Sequence, residues 1–346
     1  MIPIYIYSKS IFLSNYLAVP EEDLILALFE KDHSYESFTI PKSKGGYRRI
    51  DSVKKDSALF RIQRNFLRFY LNELPLPVCV KGFRADESYQ KFLEEHCGDR
   101  FFLRIDLKDF FPSITSQHIE KAFRPLIRAS DEEATWILNT LSSLLLFNDS
   151  LPQGACTSPA VSNFIFARLD QRILKYCQSL GIRYTRYADD LLFSESDSTG
   201  QVLSKPWFLK KIRYILASQS FHINYKKIKR SSSEISLNGF VVGTTIRLSR
   251  KRFTDISAVV SCCKQHLSSG SPATRHTLLT AVNSLSLKYR DLQFYPFKTV
   301  HALTQYIAGY RAYLWGWNTV SNLQTQQRIL HLVSNMEKLI LKIETL

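Results

Sequence analysis

No stretch of the 346-residue chain approaches the roughly 18 to 20 consecutive apolar residues that a membrane-spanning helix needs. The opening residues, Met1-Ile2-Pro3-Ile4-Tyr5-Ile6-Tyr7, lack the basic flank of a secretory signal. Cysteine is scarce and unpatterned. Cys79, Cys97, Cys156, Cys177, Cys262 and Cys263 form no CxxC pair, and no histidine stands at zinc-finger spacing from them. Neither a disulfide framework, a structural zinc nor a membrane span is expected, and the chain reads as cytoplasmic. It also lacks an internal repeat, a low-complexity tract and a long linker.

Acidic residues are in short supply: 31 Asp and Glu face 46 Lys and Arg, a net charge of +15. That balance favours a polyanionic partner, because each neutralised phosphate releases counterions. A merely basic protein is the plain alternative. The positive charge is clustered. Lys42, Lys44, Arg48 and Arg49 form one stretch; Lys205 to Arg230 holds eight basic residues and no acidic one; Arg247 to Arg252 adds four. Together the three could line one groove, although each alone is more often a solvated face. Trp207, Phe208, Tyr214, Phe221 and Tyr225 interleave the middle run, which suits contact with nucleotides.

With 45% apolar and 13% aromatic residues, the chain can bury one large core or those of two to three subdomains. Apolar spacing predicts a helix over Asp56 to Leu74, stopped by Pro75 and Pro77. A second helix is predicted after Ser158 as N-cap, with Pro159 first and Gly181 just past its end. Arg183 to Ala188 and Leu191 to Ser194 read as hairpin strands, and Ser236 to Val242 with Thr245 to Leu248 as another hairpin around Gly243. Beyond Leu248 the pattern is helical. Tyr306, Tyr310, Tyr313, Leu314 and Trp317 make one stripe, and Ile329, Leu332, Val333, Met336, Ile340 and Ile343 another, both best read as helix packing.

The first hairpin carries Tyr187-Ala188-Asp189-Asp190 at its tip, and the apolar segment Phe101 to Ile105 also ends on a carboxylate, Asp106. Two strands aimed together would gather three carboxylates, the donor set of a hard divalent cation. An aspartate pair by itself is a weak signal, nearer a surface turn than a site. Its context is stronger: Ile105-Asp106-Leu107-Lys108-Asp109-Phe110-Phe111-Pro112-Ser113-Ile114 precedes it, and Leu151-Pro152-Gln153-Gly154-Ala155-Cys156-Thr157-Ser158-Pro159 lies between.

In the order and spacing of these motifs, residues 35 to 243 resemble the bacterial reverse transcriptases of the retron and defence-associated type. The resemblance implies an α+β right-hand polymerase: fingers and palm over residues 1–243, the palm an antiparallel sheet with helices, and a helical thumb over 244–346. It implies RNA-directed DNA synthesis from dNTPs on an RNA template, a non-coding RNA in antiviral defence, with a defence effector protein or self-association as further partners and no membrane. The chain's last residue, Leu346, leaves no expectation of an RNase H domain or of maturase and endonuclease modules.

The resemblance also assigns roles. Phe38 to Ile50 is similar to the fingers motif, which would put Lys42 and Arg48 on the triphosphate. Phe111 would lie under the sugar and exclude a 2′-hydroxyl, while Gln153 and Gly154 would flank nucleotide and template. Asn224-Tyr225-Lys226-Lys227 is similar to the palm motif whose lysine nears the leaving pyrophosphate, so Lys227, or Lys226 in another register, could act as general acid. Leu237 to Val242 is similar to the primer-grip hairpin, and Lys81-Gly82-Phe83 and His96 also match bacterial members. In-line attack of a 3′-hydroxyl on an α-phosphate calls for two Mg2+ ions, or Mn2+ in their place. Asp106 and Asp189 would bridge them, with Asp190 more peripheral and the Leu107 carbonyl as another oxygen.

Two retron hallmarks are replaced: Phe92-Leu93 stands for Asn-Ala, and Leu237-Asn238-Gly239 for Val-Thr-Gly. A stand-alone defence enzyme and a retron enzyme making RNA-linked DNA are thus both open. Rival readings are an RNA-making or template-independent nucleotidyltransferase, a non-catalytic nucleic-acid-binding scaffold, and, least favoured, a membrane-surface protein.

Overall fold

The structure, a computed structural model, describes residues 4–41, 46–268, 275–287, 290, 292, 295–317 and 323–344. Two compact units are found: Met1–His96 with Arg100–Ser232, and Cys97–Asp99 with Ser233–Leu346. By compactness the division thus falls at Ser232, and the residues up to 243 that resemble the primer grip go with the second unit.

In the first unit, helix α1 (Glu21–Phe29) opens on Glu21, Glu22 and Asp23, whose charge complements its N-terminal dipole. Strands β1 (Tyr35–Pro41) and β2 (Tyr47–Val53) pair antiparallel as a separate two-stranded sheet. Helix α2 (Ala58–Phe69) starts where the Ser57 hydroxyl accepts the Phe60 N–H, and it buries Leu59, Ile62, Gln63 and Phe66. It is shorter than its apolar pattern suggested, because Leu71–Glu73 tightens into a 3-10 turn before Pro75. After α3 (Tyr89–Glu94) comes β3 (Phe101–Asp106), followed by α4 (Ser116–Phe123) and α5 (Asp131–Leu145). Helix α6 (Ser158–Gln178) has Thr157 at its N-cap position, one residue earlier than expected, with no side-chain capping bond and with Ser158 already inside the first turn. Then follow β4 (Arg183–Tyr187), β5 (Asp190–Glu195), α7 (Pro206–Ala217) and β6 (Lys229–Ser232).

The central sheet has the order β4-β5-β3-β6 and is antiparallel throughout. Its pleat sorts side chains by parity. Leu103, Ile105, Leu191 and Phe193 point to one face and pack with Phe166, Leu169 and Ile173 of α6 and with Phe208 and Ile212 of α7. Arg104, Asp106 and Asp190 lie on the other. The charged residues of these strands are therefore gathered by register, not scattered.

The second unit begins with β7 (Ile235–Leu237), β8 (Phe240–Val242) and β9 (Ile246–Leu248), an antiparallel three-stranded sheet. The expected single strand from Ser236 to Val242 is instead two, reversed at Asn238-Gly239. Both turn residues have positive φ, +45° and +88°, the conformation that tight two-residue hairpins demand and that Asn-Gly supplies. Helices α8 (Arg250–Ser268), α9 (Arg275–Asn283), α10 (Val300–Trp317) and α11 (Leu323–Glu344) complete the unit. The two apolar stripes meet here as helix packing: Ile307 and Leu314 of α10 share a core with Ile329, Val333, Met336 and Ile343 of α11. Among the described residues, no helix is long and apolar enough to cross a membrane.

Candidate active site

Asp106 is the last residue of β3 and stands opposite Asp190, the first of β5. Tyr187 also pairs with Asp190, so β4 and β5 are joined through Ala188 and Asp189 alone. Ala188 has φ +55°, a left-handed conformation that costs a residue with a Cβ roughly 1–2 kcal/mol. The surroundings hold it there. The Leu107 N–H donates to the Asp189 carbonyl at 2.9 Å, tying the turn to β3. Gly82 packs so closely that an added Cβ would sit 2.8 Å from the Ala188 nitrogen, which makes this glycine a matter of space.

Beneath the turn lies a buried ionic network. Arg186, on the core face of β4, is fully buried and forms a two-pronged ion pair with Asp170 of α6. It also donates to the Asn163 side-chain oxygen and to the Ala188 carbonyl, both at 3.0 Å. Asn163 in turn donates to the Gly82 carbonyl at 2.8 Å, and the Tyr184 hydroxyl donates to Asp170 at 2.7 Å. Burial pushes the Asp170 carboxyl up, and the Arg186 guanidinium pulls against that shift. Behind β4 and β5, His96 bridges the Ser194 and Thr185 hydroxyls at 2.6 and 2.7 Å. Phe92 and Leu93, which replace the retron Asn-Ala, are fully buried, and Phe92 packs on Tyr187.

Asp106 and Asp190 are set apart by their partners. Lys227 Nζ pairs with Asp106 Oδ2 at 3.0 Å, and Asn224 Nδ2 donates to its Oδ1 at 3.2 Å. Arg104, two residues before Asp106 and hence on the same face, holds Asp190 Oδ1 through Nε at 2.9 Å and Nη2 at 2.5 Å. Burial pushes the Asp190 carboxyl up to about 6 even with Arg104 beside it, and Asp189 adds to the rise. The Asp189 carboxyl is also raised, first by burial and then by the charge of Asp106. Among the described residues, no three His, Cys, Asp or Glu side chains already converge as a metal cage. The donor chemistry nonetheless fits a divalent cation: desolvated carboxylates at one sheet end gain most from added positive charge. The Leu107 carbonyl suits the set too. Its bridge to Ile223 is made by the Asn224 N–H on the Asp106 carbonyl and the Lys108 N–H on the His222 carbonyl, so the bridge does not consume it.

The remaining expected residues surround this centre. Phe110 is buried against Phe166 and Phe221, whereas Phe111 is only partly buried. Both lie in a turn after β3. The turn is joined to the Leu151–Ala155 loop by the Leu151 N–H on the Ile114 carbonyl. On that loop the Gln153 carbonyl accepts the Asp51 N–H, and Gly154, at φ +138°, would place a Cβ 2.8 Å from the Asp51 carbonyl oxygen. The loop is therefore docked on β2. Arg48 is exposed on β2, and Lys42 and Lys44 lie outside the described residues. The basic stretch Arg247 to Arg252 belongs to the second unit. Sequence reasoning missed Arg104 and Asp170. The signals were present: Arg104 shares parity with Asp106, and Asp170 interrupts an apolar helix stripe.

Residues 40–242 match the family model described as reverse transcriptase (RNA-dependent DNA polymerase). The chain belongs to the reverse transcriptase family. Relatives include the retron Ec86 reverse transcriptase of Escherichia coli, 31% identical over 72% of this chain and 76% of that protein. The retron Mx65 reverse transcriptase of Myxococcus xanthus is 30% identical over 67% of this chain, and the match spans 56% of that longer protein. Among solved structures, a Candida albicans telomerase in complex with a fragment of telomeric RNA superimposes with a TM-score of 0.44 at 12% identity, over 90% of this chain and 66% of that one. The reverse transcriptase assignment rests on the family model and the retron relatives. RNA-directed DNA polymerases of this family work with divalent metal ions.

Proposed function

We propose that the protein copies RNA into DNA with Asp106, Asp189 and Asp190 as its catalytic carboxylates. The observation that carries this reading is the register Asp106↔Asp190, which puts all three at one end of the central sheet. Asp106 and Asp189 would hold two Mg2+ ions, with the Leu107 carbonyl as a further ligand and Asp190, already held by Arg104, as an outer charge. Bound there, the ions supply Lewis-acid stabilisation of the attacking and leaving oxygens of the dNTP reaction. Lys227, 3.0 Å from Asp106, would hand a proton to the pyrophosphate oxygen. Phe111 limits the sugar to deoxyribose, Gln153 and Gly154 flank the nucleotide, and Lys42 and Arg48 approach its triphosphate.

Fingers and palm correspond in this reading to the first unit and the thumb to the second, with the β7–β8 hairpin as primer grip. In this reading the template is a dedicated non-coding RNA, the product is DNA, and the role is a cytoplasmic one in antiviral defence. An extension assay with dNTPs and Mg2+ on RNA, on DNA and without template tests the core of it. Incorporation should require both the RNA template and the metal. Incorporation that needs no template would favour a terminal transferase instead. Sequencing the nucleic acid that copurifies from cells would then identify template and product together.

A further inference from the structure

Away from the carboxylates, α7 and the Tyr225–Arg230 segment enclose an open groove of about 560 Å³. Its lining combines the apolar Pro206 and Leu209 with the cationic Lys210, Arg213 and Arg230, and Tyr225 lies among them. Among the described residues, none of the three cations is ion-paired to a carboxylate. No Asp or Glu occurs anywhere from Lys205 to Arg230, so the charge is not neutralised locally. Three converging, unneutralised cations are costly through mutual repulsion unless an anion spans them. Their spread along two elements suits a chain of phosphates better than one compact anion.

Aromatic surface lies beside the charge. Tyr225 is 55% exposed, and on α7 Trp207 and Tyr214, seven residues apart and so on one face, are 46% and 66% exposed. Lys211 stands 5.6 Å from the Tyr214 ring centre. Exposed rings flanking a cationic track are what unpaired bases stack on, whereas a duplex hides its base faces. The groove is also tied to the reaction centre, since Asn224 and Lys227, on either side of Tyr225, both bond Asp106.

We propose that this groove is a binding track for single-stranded RNA outside the polymerising site, with phosphates on Lys210, Arg213 and Arg230 and bases against Tyr225 and Trp207. It would anchor the unpaired part of a template RNA while another part is copied. The surface goes beyond the polymerase reading and is testable without catalysis.

The experiment compares the intact chain with its K210Q/R213Q/R230Q variant, using a labelled oligouridylate and fluorescence anisotropy over a salt series. All three residues are exposed surface cations, so the fold should be kept; extension of a pre-annealed primer–template within about twofold of the parent would show it. Affinity for the oligouridylate should fall about tenfold or more, and the salt slope should flatten by about 2, near 0.7 per lost phosphate contact. Trp207→Ala should weaken binding roughly fivefold or more with the salt slope unchanged, as a lost stacking contact does. Unchanged affinity and slope in the triple variant would overturn the proposal. So would a loss confined to inorganic triphosphate, which would make the groove a nucleotide site.

Discussion

Arg186 donates to Asp170 through Nη2 at 2.7 Å and Nε at 2.9 Å, and its Nη1 reaches the Ala188 carbonyl at 3.0 Å. One guanidinium thus joins α6 to the turn that presents Asp189 and Asp190. Removing it alone strands a fully buried carboxylate, so Arg186→Met should cost roughly 3–5 kcal/mol in urea denaturation. Arg186→Met combined with Asp170→Leu should cost less than the first change alone, because no buried charge is then left. A double variant as unstable as the sum of the singles would contradict the network described here.

Gly82 answers to space. Its Cα stands where a methyl would press on the Ala188 nitrogen at 2.8 Å, backbone against backbone. Gly82→Ala should displace the turn, lower stability by roughly 1–3 kcal/mol and depress dNTP incorporation more than substrate binding. Incorporation kinetics equal to the parent's would show that the turn tolerates the shift.

Much of this was legible before any coordinates. The strands ending on Asp106 and beginning after Asp189 are continuous apolar runs bounded by turn residues, and their chemistry announces itself at their ends. The partners of those carboxylates were harder to see. Arg104 looks like a stray charge until register sets it opposite Leu192 and beside Asp190. Arg186 and Asp170 are sixteen residues apart on different elements, and only tertiary packing turns two unfavourable burials into a pair. The Asn238-Gly239 reversal was readable as hairpin chemistry, but the flanking apolar residues mask it as one strand. Helix ends differ from the pattern by a residue or two: Thr157, not Ser158, holds the N-cap position of α6, and neither hydroxyl makes a capping bond.

His96 gives the fold a pH signature. Burial between Thr185 and Ser194 holds its imidazole down to about 3, with Arg183 adding repulsion. An unfolded histidine titrates near 6.5, so as pH falls the unfolded state takes up this proton first. The stabilisation is complete above about 6.5 and is lost progressively as pH falls toward 3, by at most about 1.4 kcal/mol per pH unit. His96→Gln should flatten the denaturation midpoint against pH in that window. A profile as steep as the parent's would assign the slope to other groups.

Phe111 sits partly exposed on the turn after β3, beside the buried Phe110. Phe111→Ala should leave the fold intact and admit ribonucleotides, raising NTP relative to dNTP incorporation by roughly 10-fold or more, within the roughly 10- to 200-fold that one added or missing group in a pocket discriminates. The ratio of the two incorporation rates checks this, and an unchanged ratio would move the sugar gate elsewhere.

If the sheet end bearing Asp106, Asp189 and Asp190 is the polymerising site, synthesis depends on each of these carboxylates. The most direct measurement is Mg2+-dependent dNTP incorporation on an RNA template by Asp189→Asn, set beside its circular dichroism and thermal unfolding. Synthesis should fall to background level while the protein remains folded. Undiminished synthesis by that folded variant would contradict this placement of the site.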